Sequence, residues 1–503
     1  MSNRIERTKA IALTGAEFRA VGHELVDRLA DLIDGIADLP VAQDSTPRQL
    51  RALLPAGGMP AQGEDLEALF AEVLPQLIET STFNAHPRFF GYISGSPAPA
   101  GILADLVASA FNPNCGAAIL SPLATEIEKQ TITWLSELIG FPANGAGILV
   151  SGGNMANMVC FMAARAAQAP DARTSGLRGL PQPLVAYASA ETHTWINKAA
   201  DICGLGAESV RNVDIDGEYR MRAETLRKLI RADLSRGLKP FVVVATGGSV
   251  STGAIDPIQD IAAICREHDI WLHVDGAYGA PAAMLPDAHA DLKASRLADS
   301  IALDPHKWLY APMEAGAALV RDPDALRNAF AYRPSYYRFE GAGEDPSTNF
   351  YEHGLQNSRG FRALKVWISL RHLGRANYER LIAEDIALAR LMYETAEAHA
   401  ELEAVTHNLS IATFRYLPED LRERRHEPDT ATYLNELNTA IVAEMQANGQ
   451  VFLSNAVLDG RYVLRGCIVN FRTTERDARM ACEVAVAVGR KLDAALRLAS
   501  VAR

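Results

Sequence analysis

With 503 residues, 48% hydrophobic and 22% charged, the chain has the make-up of an ordinary globular protein, which excludes disordered, fibrous and collagen-like classes. Its formal net charge of −12 and pI near 5.5 argue against nucleic-acid binding, because neutralising phosphates takes a clustered excess of Lys and Arg. The six cysteines (Cys115, Cys160, Cys203, Cys265, Cys467, Cys482) form no Cys-x-x-Cys pair and have no histidine at metal-ligand spacing. Reduced thiols and no metal site are therefore expected. No apolar run reaches the roughly 18 residues of a membrane span, and the first residues lack a signal-peptide core, so a cytoplasmic protein is expected.

In chain order, Phe18, Val21, Leu25, Leu29, Leu32, Ile33 and Ile36 recur at three- and four-residue spacings and predict an amphipathic helix ending before Pro40. A Pro/Gly-rich link at 54–63 leads to a second, carried by Leu66, Leu69, Phe70, Val73, Leu74, Leu77 and Ile78. Their apolar stripes must pack either on the same domain or on a second subunit, and the residues alone leave both open. Between 87 and 370, short apolar runs at 147–150, 184–188, 241–245, 270–274 and 300–303 alternate with helical patterns. That order predicts βαβ units and a mainly parallel sheet. Beyond a helical stretch at 362–400, strand-like runs at 410–416, 451–454 and 462–471 predict a smaller α+β domain. The expected division is 1–85 (helical, N-terminal), 86–370 (large α/β) and 371–503 (small α+β).

Parallel sheets bind ligands beyond the carboxyl ends of their strands. After the run at 147–150 comes Ser151-Gly152-Gly153-Asn154 and then a helix, which offers backbone N–H groups and a positive dipole end to a phosphate. Alone, that turn is weak, since many such turns contain Gly-Gly. The run at 241–245 ends in Thr246-Gly247-Gly248-Ser249, which adds a hydroxyl at the same edge. The run at 270–274 ends in Asp275, and a carboxylate there must cap a helix, pair with a cation or meet a cationic ligand. A fourth strand end carries Asp304-Pro305-His306-Lys307-Trp308. A lone lysine in such a place is more often solvated or salt-bridged than nucleophilic. In combination, however, the turn, Asp275 and Lys307 supply the three parts of a pyridoxal 5′-phosphate (PLP) site: a phosphate anchor, a partner for the ring nitrogen and a Schiff-base amine.

The motifs His-Val-Asp-Gly-Ala-Tyr (273–278), Asp-Pro-His-Lys-Trp-Leu (304–309) and Ala-Ser-Ala-Glu-Thr-His (188–193) resemble those of the group II PLP-dependent amino-acid decarboxylases, the family of the aromatic-L-amino-acid and glutamate decarboxylases. So do His86-Pro87-Arg88-Phe89-Phe90-Gly91-Tyr92, Ser121-Pro122, Thr125-Glu126-Ile127-Glu128 and Phe361-Arg362-Ala363-Leu364-Lys365-Val366-Trp367, and the resemblance spans nearly the whole chain. It implies the PLP-dependent transferase fold type I, a mainly parallel seven-stranded-type sheet flanked by helices, with a helical N-terminal arm and a small α+β C-terminal domain. It also implies a lyase that decarboxylates an L-amino acid. Lys307 would hold the coenzyme covalently, Asp275 would face the pyridine nitrogen and His193 would stack on the ring. Ser151, Gly152, Gly153, Asn154 and His306 would surround the phosphate, with Thr246 and Ala277 lining the ring. The family is homodimeric, which implies that both N-terminal helices contact a second subunit and that a loop at 331–352, containing Gly341 and Gly343, covers the partner's site.

Three features depart from the family pattern. Many members have a loop tyrosine that reprotonates Cα after carbon dioxide leaves; counting back from Arg359, that position holds Phe350, with Tyr351 beside it. In related aldehyde synthases the tyrosine is often phenylalanine. Second, the substrate pocket expected from Tyr92, Ile93, Asn114 and Gly116 keeps an apolar wall in the first two and gains room and polarity from the others. The overall resemblance implies an aromatic substrate such as tyrosine, dopa, tryptophan or phenylalanine, with glutamate, aspartate or 2,4-diaminobutyrate as alternatives. Third, Asp304 is a carboxylate beside an expected phosphate, where an amide would be more comfortable.

Other reactions on the same scaffold, such as transamination, are disfavoured by the pairing of His306-Lys307 with His193. Arg465 and Arg472 could bind a substrate carboxylate, but strand-flanking arginines more often make surface pairs. A silent PLP-binding scaffold is disfavoured because the lysine is retained.

Overall fold

The structure, a computed structural model, describes residues 11–332 and 348–501. Helix α1 (Gly15–Gly35) starts at a capping box in which Thr14 and Glu17 satisfy each other's backbone donors. Neither α1 nor α2 (Leu66–Thr80) buries a single residue in this chain, although both carry the apolar stripes read from the sequence. Helices α3 (Pro99–Phe111) and α4 (Pro122–Leu138) lead into the large sheet.

That sheet is built from β1 (Ala146–Val150), β2 (Leu184–Ser189), β3 (Val210–Val213), β4 (Lys239–Thr246), β5 (Trp271–Asp275), β6 (Ser300–Leu303) and β7 (Gly316–Val320), in the order β1-β7-β6-β5-β4-β2-β3. Strands β3, β2, β4, β5 and β6 run parallel, and β7 pairs antiparallel with both β6 and β1. The seven-stranded, mainly parallel sheet is the one expected. Helix α5 (Gly153–Gln168) lies against it with Val159, Cys160 and Phe161 fully buried, and α6 (Trp195–Ile202) follows β2. Strands covered on both faces read as unbroken apolar runs, which is why five of the seven were visible in the sequence. The two that were missed had cause: β3 is a half-exposed edge reading Val-Arg-Asn-Val, and β7 reads Gly-Ala-Ala-Leu-Val, small residues of low strand propensity. The small residues of β7 are required by contact, since a Cβ on Gly316 would lie 2.5 Å from the backbone of Gly152.

The helical stretch at 362–400 is two helices, α7 (Ala363–Leu373) and α8 (Arg375–Ala398), broken at Gly374, whose φ of 71° a side chain would resist. The second sheet is antiparallel, of β8 (Leu402–Asn408), β9 (Ile411–Tyr416), β10 (Ser454–Leu458) and β11 (Arg461–Cys467) in the order β10-β11-β9-β8, covered by α9 (Pro428–Ala447) and α10 (Glu475–Val501). Strand β8 was not foreseen, and the third strand begins at Ser454, where the run at 451–454 ends. Phe89 and Phe90, at the start of the expected large domain, instead join the second sheet's surroundings: Phe90 N–H donates to Phe452 O, and the Phe90 ring is buried in that domain's core.

Behind the Lys307 segment, α8 buries Asp385, whose Oδ2 accepts the Trp308 indole N–H at 2.9 Å and the Tyr310 hydroxyl at 2.7 Å. Burial pushes this carboxyl up from 3.8 to about 7, with the two donors pulling the other way. A folded-state pKa above the unfolded one means that its contribution to stability is present at acid pH and is lost as pH rises toward 7. Asp385→Asn keeps an acceptor for both donors without a charge. Its melting temperature relative to wild type should rise between pH 4 and pH 8 in calorimetry, and a difference that does not change with pH would refute this account.

Candidate active site

Strands β2, β4, β5 and β6 end along one edge, and the residues just past them close around a cleft lined by His193, Thr246, Asp275, Ala277 and Lys307. Helix α5 points its N-terminus at the same cleft, bringing Gly153 and Asn154 into the lining. Sequence positions far apart thus meet because parallel strands present their carboxyl ends together.

The Lys307 Nζ lies 2.9 Å from Asp304 Oδ2. Burial draws the ammonium's pKa down, but Asp304, with Asp275 beyond it, outweighs this and leaves it above the ordinary lysine value. The carboxylate at 304 is therefore the lysine's counter-ion, which accounts for an acid where an amide was expected. Asp275 is buried, with Oδ1 accepting from Ala277 N at 3.2 Å and Oδ2 from the Trp195 indole at 2.7 Å. Burial lowers the pKa of His193 against the pull of Asp275, and burial likewise lowers that of His306, whose Nδ1 sits 2.8 Å from Ala315 O.

The donor set suits PLP on observations of this chain. A Cβ on Gly153 would lie 2.5 Å from Asp304 Oδ2, and one on Gly152 would lie 3.1 Å from His306 Cε1, so the turn must stay bare and its N–H groups accessible. The Thr246 hydroxyl and Asp304 Oδ1 are buried without a partner among the described residues, atoms that a polar ligand would satisfy. Thr246 is held from behind by Asp256, which accepts its N–H at 2.7 Å. Ser151 begins the turn, half-buried. Among the described residues no cluster of His, Cys, Asp and Glu could hold a metal, and no helix is long and apolar enough to cross a membrane.

Other expected residues lie elsewhere in the chain. Asn114 Oδ1 accepts from Gly116 N and Arg359 N, Tyr351 N donates to Gly116 O, and Phe350 packs under the Arg359 guanidinium. Asn114, Gly116, Phe350 and Tyr351 therefore cluster with one another and do not line the Lys307 cleft of their own chain. Most of the 331–352 loop, Gly341 and Gly343 included, lies outside the described residues. Tyr92 is exposed, with φ of 51°, and Ile93 is half-buried against the large core. Arg465 is no surface pair: it is 2% exposed and donates to Val250 O, Tyr92 O and Ser454 Oγ, while Arg472 donates to Ser96 Oγ. Sequence reasoning missed Trp195, two residues after His193, because nothing in its neighbours marks an indole as a partner for an acid 80 positions away.

Residues 47–417 match the family model described as the pyridoxal-dependent decarboxylase conserved domain. The chain is similar to the aromatic-L-amino-acid decarboxylase of Bacillus atrophaeus, 34% identical over 93% of this chain and 94% of that one. It is also similar to the phenylacetaldehyde synthase of a Rosa hybrid cultivar, 30% identical over 92% of each. Among solved structures it resembles Oryza sativa TDC with PLP and tryptamine, with a TM-score of 0.88 and 26% identity over 95% of this chain and 99% of that one. The architecture is that of fold type I PLP enzymes.

Only a neutral amine can attack an aldehyde, so covalent capture of PLP by coenzyme-free protein should accelerate toward alkaline pH. Asp304→Asn removes the anion that raises Lys307 and should move this profile to lower pH, followed by visible absorbance. A profile that stays in place would rule out Asp304 as the counter-ion.

Proposed function

The chain belongs to the pyridoxal-dependent decarboxylase family of PLP-dependent carboxy-lyases, and on that footing we propose that it converts an aromatic L-amino acid to its amine and carbon dioxide at the Lys307 cleft. The observation that carries this reading is the meeting of Lys307, Asp275 and the bare N-terminal turn of α5 around one cleft. The aromatic preference is supported by similarity to aromatic-acid decarboxylases.

When bound, PLP supplies an electron sink for the pair released at Cα as carbon dioxide departs. In this reading Lys307 holds the coenzyme through Nζ, and Asp275 keeps a proton on its ring nitrogen. Gly152, Gly153, Asn154 and His306 hold the phosphate with Ser151 at the turn, His193 covers the ring, and Thr246 and Ala277 line it. Asp304 pairs with the Lys307 ammonium and holds its proton until it is shed to solvent, after which the amine can act as a nucleophile.

The same proposal includes a homodimer. Helix α3 leaves Leu103, Leu106, Val107 and Phe111 exposed, and Ile119, Leu120 and Leu123 follow, an apolar surface beside the cluster of Asn114, Gly116 and Tyr351. Monomers rarely leave so much apolar surface open. The stripes of α1 and α2, which are only half-covered in this chain, need a partner for the same reason. Such a dimer would set the Tyr351 cluster of one chain against the cleft of the other, with Tyr92 and Ile93 at its mouth. The segments 1–85, 86–370 and 371–503 then act as dimerisation arm, coenzyme domain and small domain. The six free cysteines, five of them buried, suit a reducing cytoplasm.

A second reading has a specific basis: Phe350 occupies the gap-free position of the proton-donating tyrosine, and one relative is a phenylacetaldehyde synthase. In that reaction oxygen oxidises the decarboxylated carbon, and aldehyde, ammonia and hydrogen peroxide accompany the carbon dioxide. Incubating PLP-loaded protein with a panel of L-amino acids should give carbon dioxide and equimolar amine from an aromatic member, with Tyr351→Phe slowing amine formation roughly 100-fold. Aldehyde with peroxide supports the second reading, and no carbon dioxide from any substrate excludes both. Phe111→Asp combined with Leu123→Asp should yield monomers by light scattering with little remaining turnover, whereas an intact dimer would discard this surface as the interface.

A further inference from the structure

Trp195 is the only side-chain donor to Asp275 among the described residues. It is 1% exposed, and its ring is held edge-on between His273, at 5.6 Å and 90°, and Phe161, at 6.2 Å and 81°. An indole has one polar hydrogen and accepts nothing, so a ring locked in this way can only donate in one direction. His273, two positions before Asp275 and on the same side of β5, does not compete for the carboxylate. Its Nε2 lies 2.7 Å from Asn157 Oδ1 and its Nδ1 2.9 Å from Ser300 Oγ.

With Oδ2 taking the indole and Oδ1 taking Ala277 N–H, the Asp275 carboxylate cannot turn without losing both bonds. Each oxygen keeps a lone pair for a further donor. The same tryptophan reaches the other side of the cleft through its backbone: Trp195 N–H donates to His193 Nδ1 at 3.3 Å. A ring nitrogen that accepts carries no hydrogen, so the His193 hydrogen is on Nε2 and the imidazole is neutral in this arrangement.

We propose that Trp195 is a positioning residue that fixes both groups flanking the coenzyme ring, orienting Asp275 with its indole N–H and His193 with its backbone N–H. The inference rests on the proposed assignment of the ring nitrogen to Asp275, and it adds a residue that never touches the ring. Loss of the indole N–H leaves Oδ2 without its donor and frees the carboxylate to turn away from the ring nitrogen.

The test compares coenzyme-free wild type and Trp195→Phe in equilibrium titrations with PLP and with its 1-deaza analogue, in which carbon replaces the ring nitrogen. The variant should bind PLP roughly tenfold more weakly, as expected for one hydrogen bond to a charged group, while its affinity for the analogue changes less than about threefold. The nitrogen resonance of ring-labelled PLP should also move between the two proteins. Equal losses for both ligands would mean that Trp195 only fills space, and no loss for either would remove its role altogether; both results overturn the proposal. Should Trp195→Phe fail to fold, benzothienylalanine at position 195, the same shape with sulfur in place of N–H, takes its place in the same titration. Wild type that binds no PLP would instead sink the proposed function itself, so the two failures are distinct.

Discussion

Two carboxylates and one ammonium are buried together at the ends of two adjacent parallel strands, and the rest of the site follows from how that charge is held. Taking an ion out of water costs several kcal/mol unless partners replace the solvent. Asp304 and Lys307 satisfy each other directly, while Asp275 is satisfied by two N–H donors that carry no charge. That leaves an excess of negative charge facing the cleft, an electrostatic setting matched to a ligand whose ring nitrogen is cationic. The N-terminus of α5, which lines the same cleft, presents a positive dipole end to it.

Holding these groups still falls to residues outside the cleft. Arg359 and Glu128, each 1% exposed, form a bidentate pair at 2.6 and 3.0 Å, and both also bond the backbone of Leu149, two residues before the phosphate turn. On the far side, Asp385 anchors Trp308 and Tyr310, so the chain immediately after Lys307 is tied to α8. Tyr278 stacks on Trp308 at 5.0 Å and hydrogen-bonds Ser410 on the small domain. Breaking one partner of such a buried network leaves a group without compensation, so each tie has a large effect on the position of the groups it supports.

The proposed dimer surface and the cleft would be linked by the same geometry. Asn114 and Gly116 were expected to line a pocket, and Phe350 and Tyr351 to sit on a loop over a partner's site; within one chain all four gather around Arg359 away from Lys307. No spacing rule distinguishes a residue that serves its own cleft from one that would serve a neighbour's. The same blindness applies to Arg465: its strand context suggested a surface pair, and only the packing of β11 against the 92 and 250 loops shows it to be internal.

What the sequence determined by itself was whatever depends on local order: the apolar runs of strands buried on both faces, the bare Gly-Gly turn, and the charged residues that cannot end a buried strand without a reason. From these the mainly parallel sheet and the trio of Gly153, Asp275 and Lys307 were legible, because a parallel sheet brings its strand ends to one edge whatever the loops between them do. Strands β3, β7 and β8 were not legible, since edge exposure or small residues erase the pattern that burial otherwise imposes. The tertiary structure alone decided who partners whom: that Asp304 neutralises Lys307, that an indole grips Asp275, and that the stripes of α1 and α2 are only half-covered within the chain. Pairings of this kind are set by distance in space between residues far apart along the chain, and one sequence carries no record of that distance.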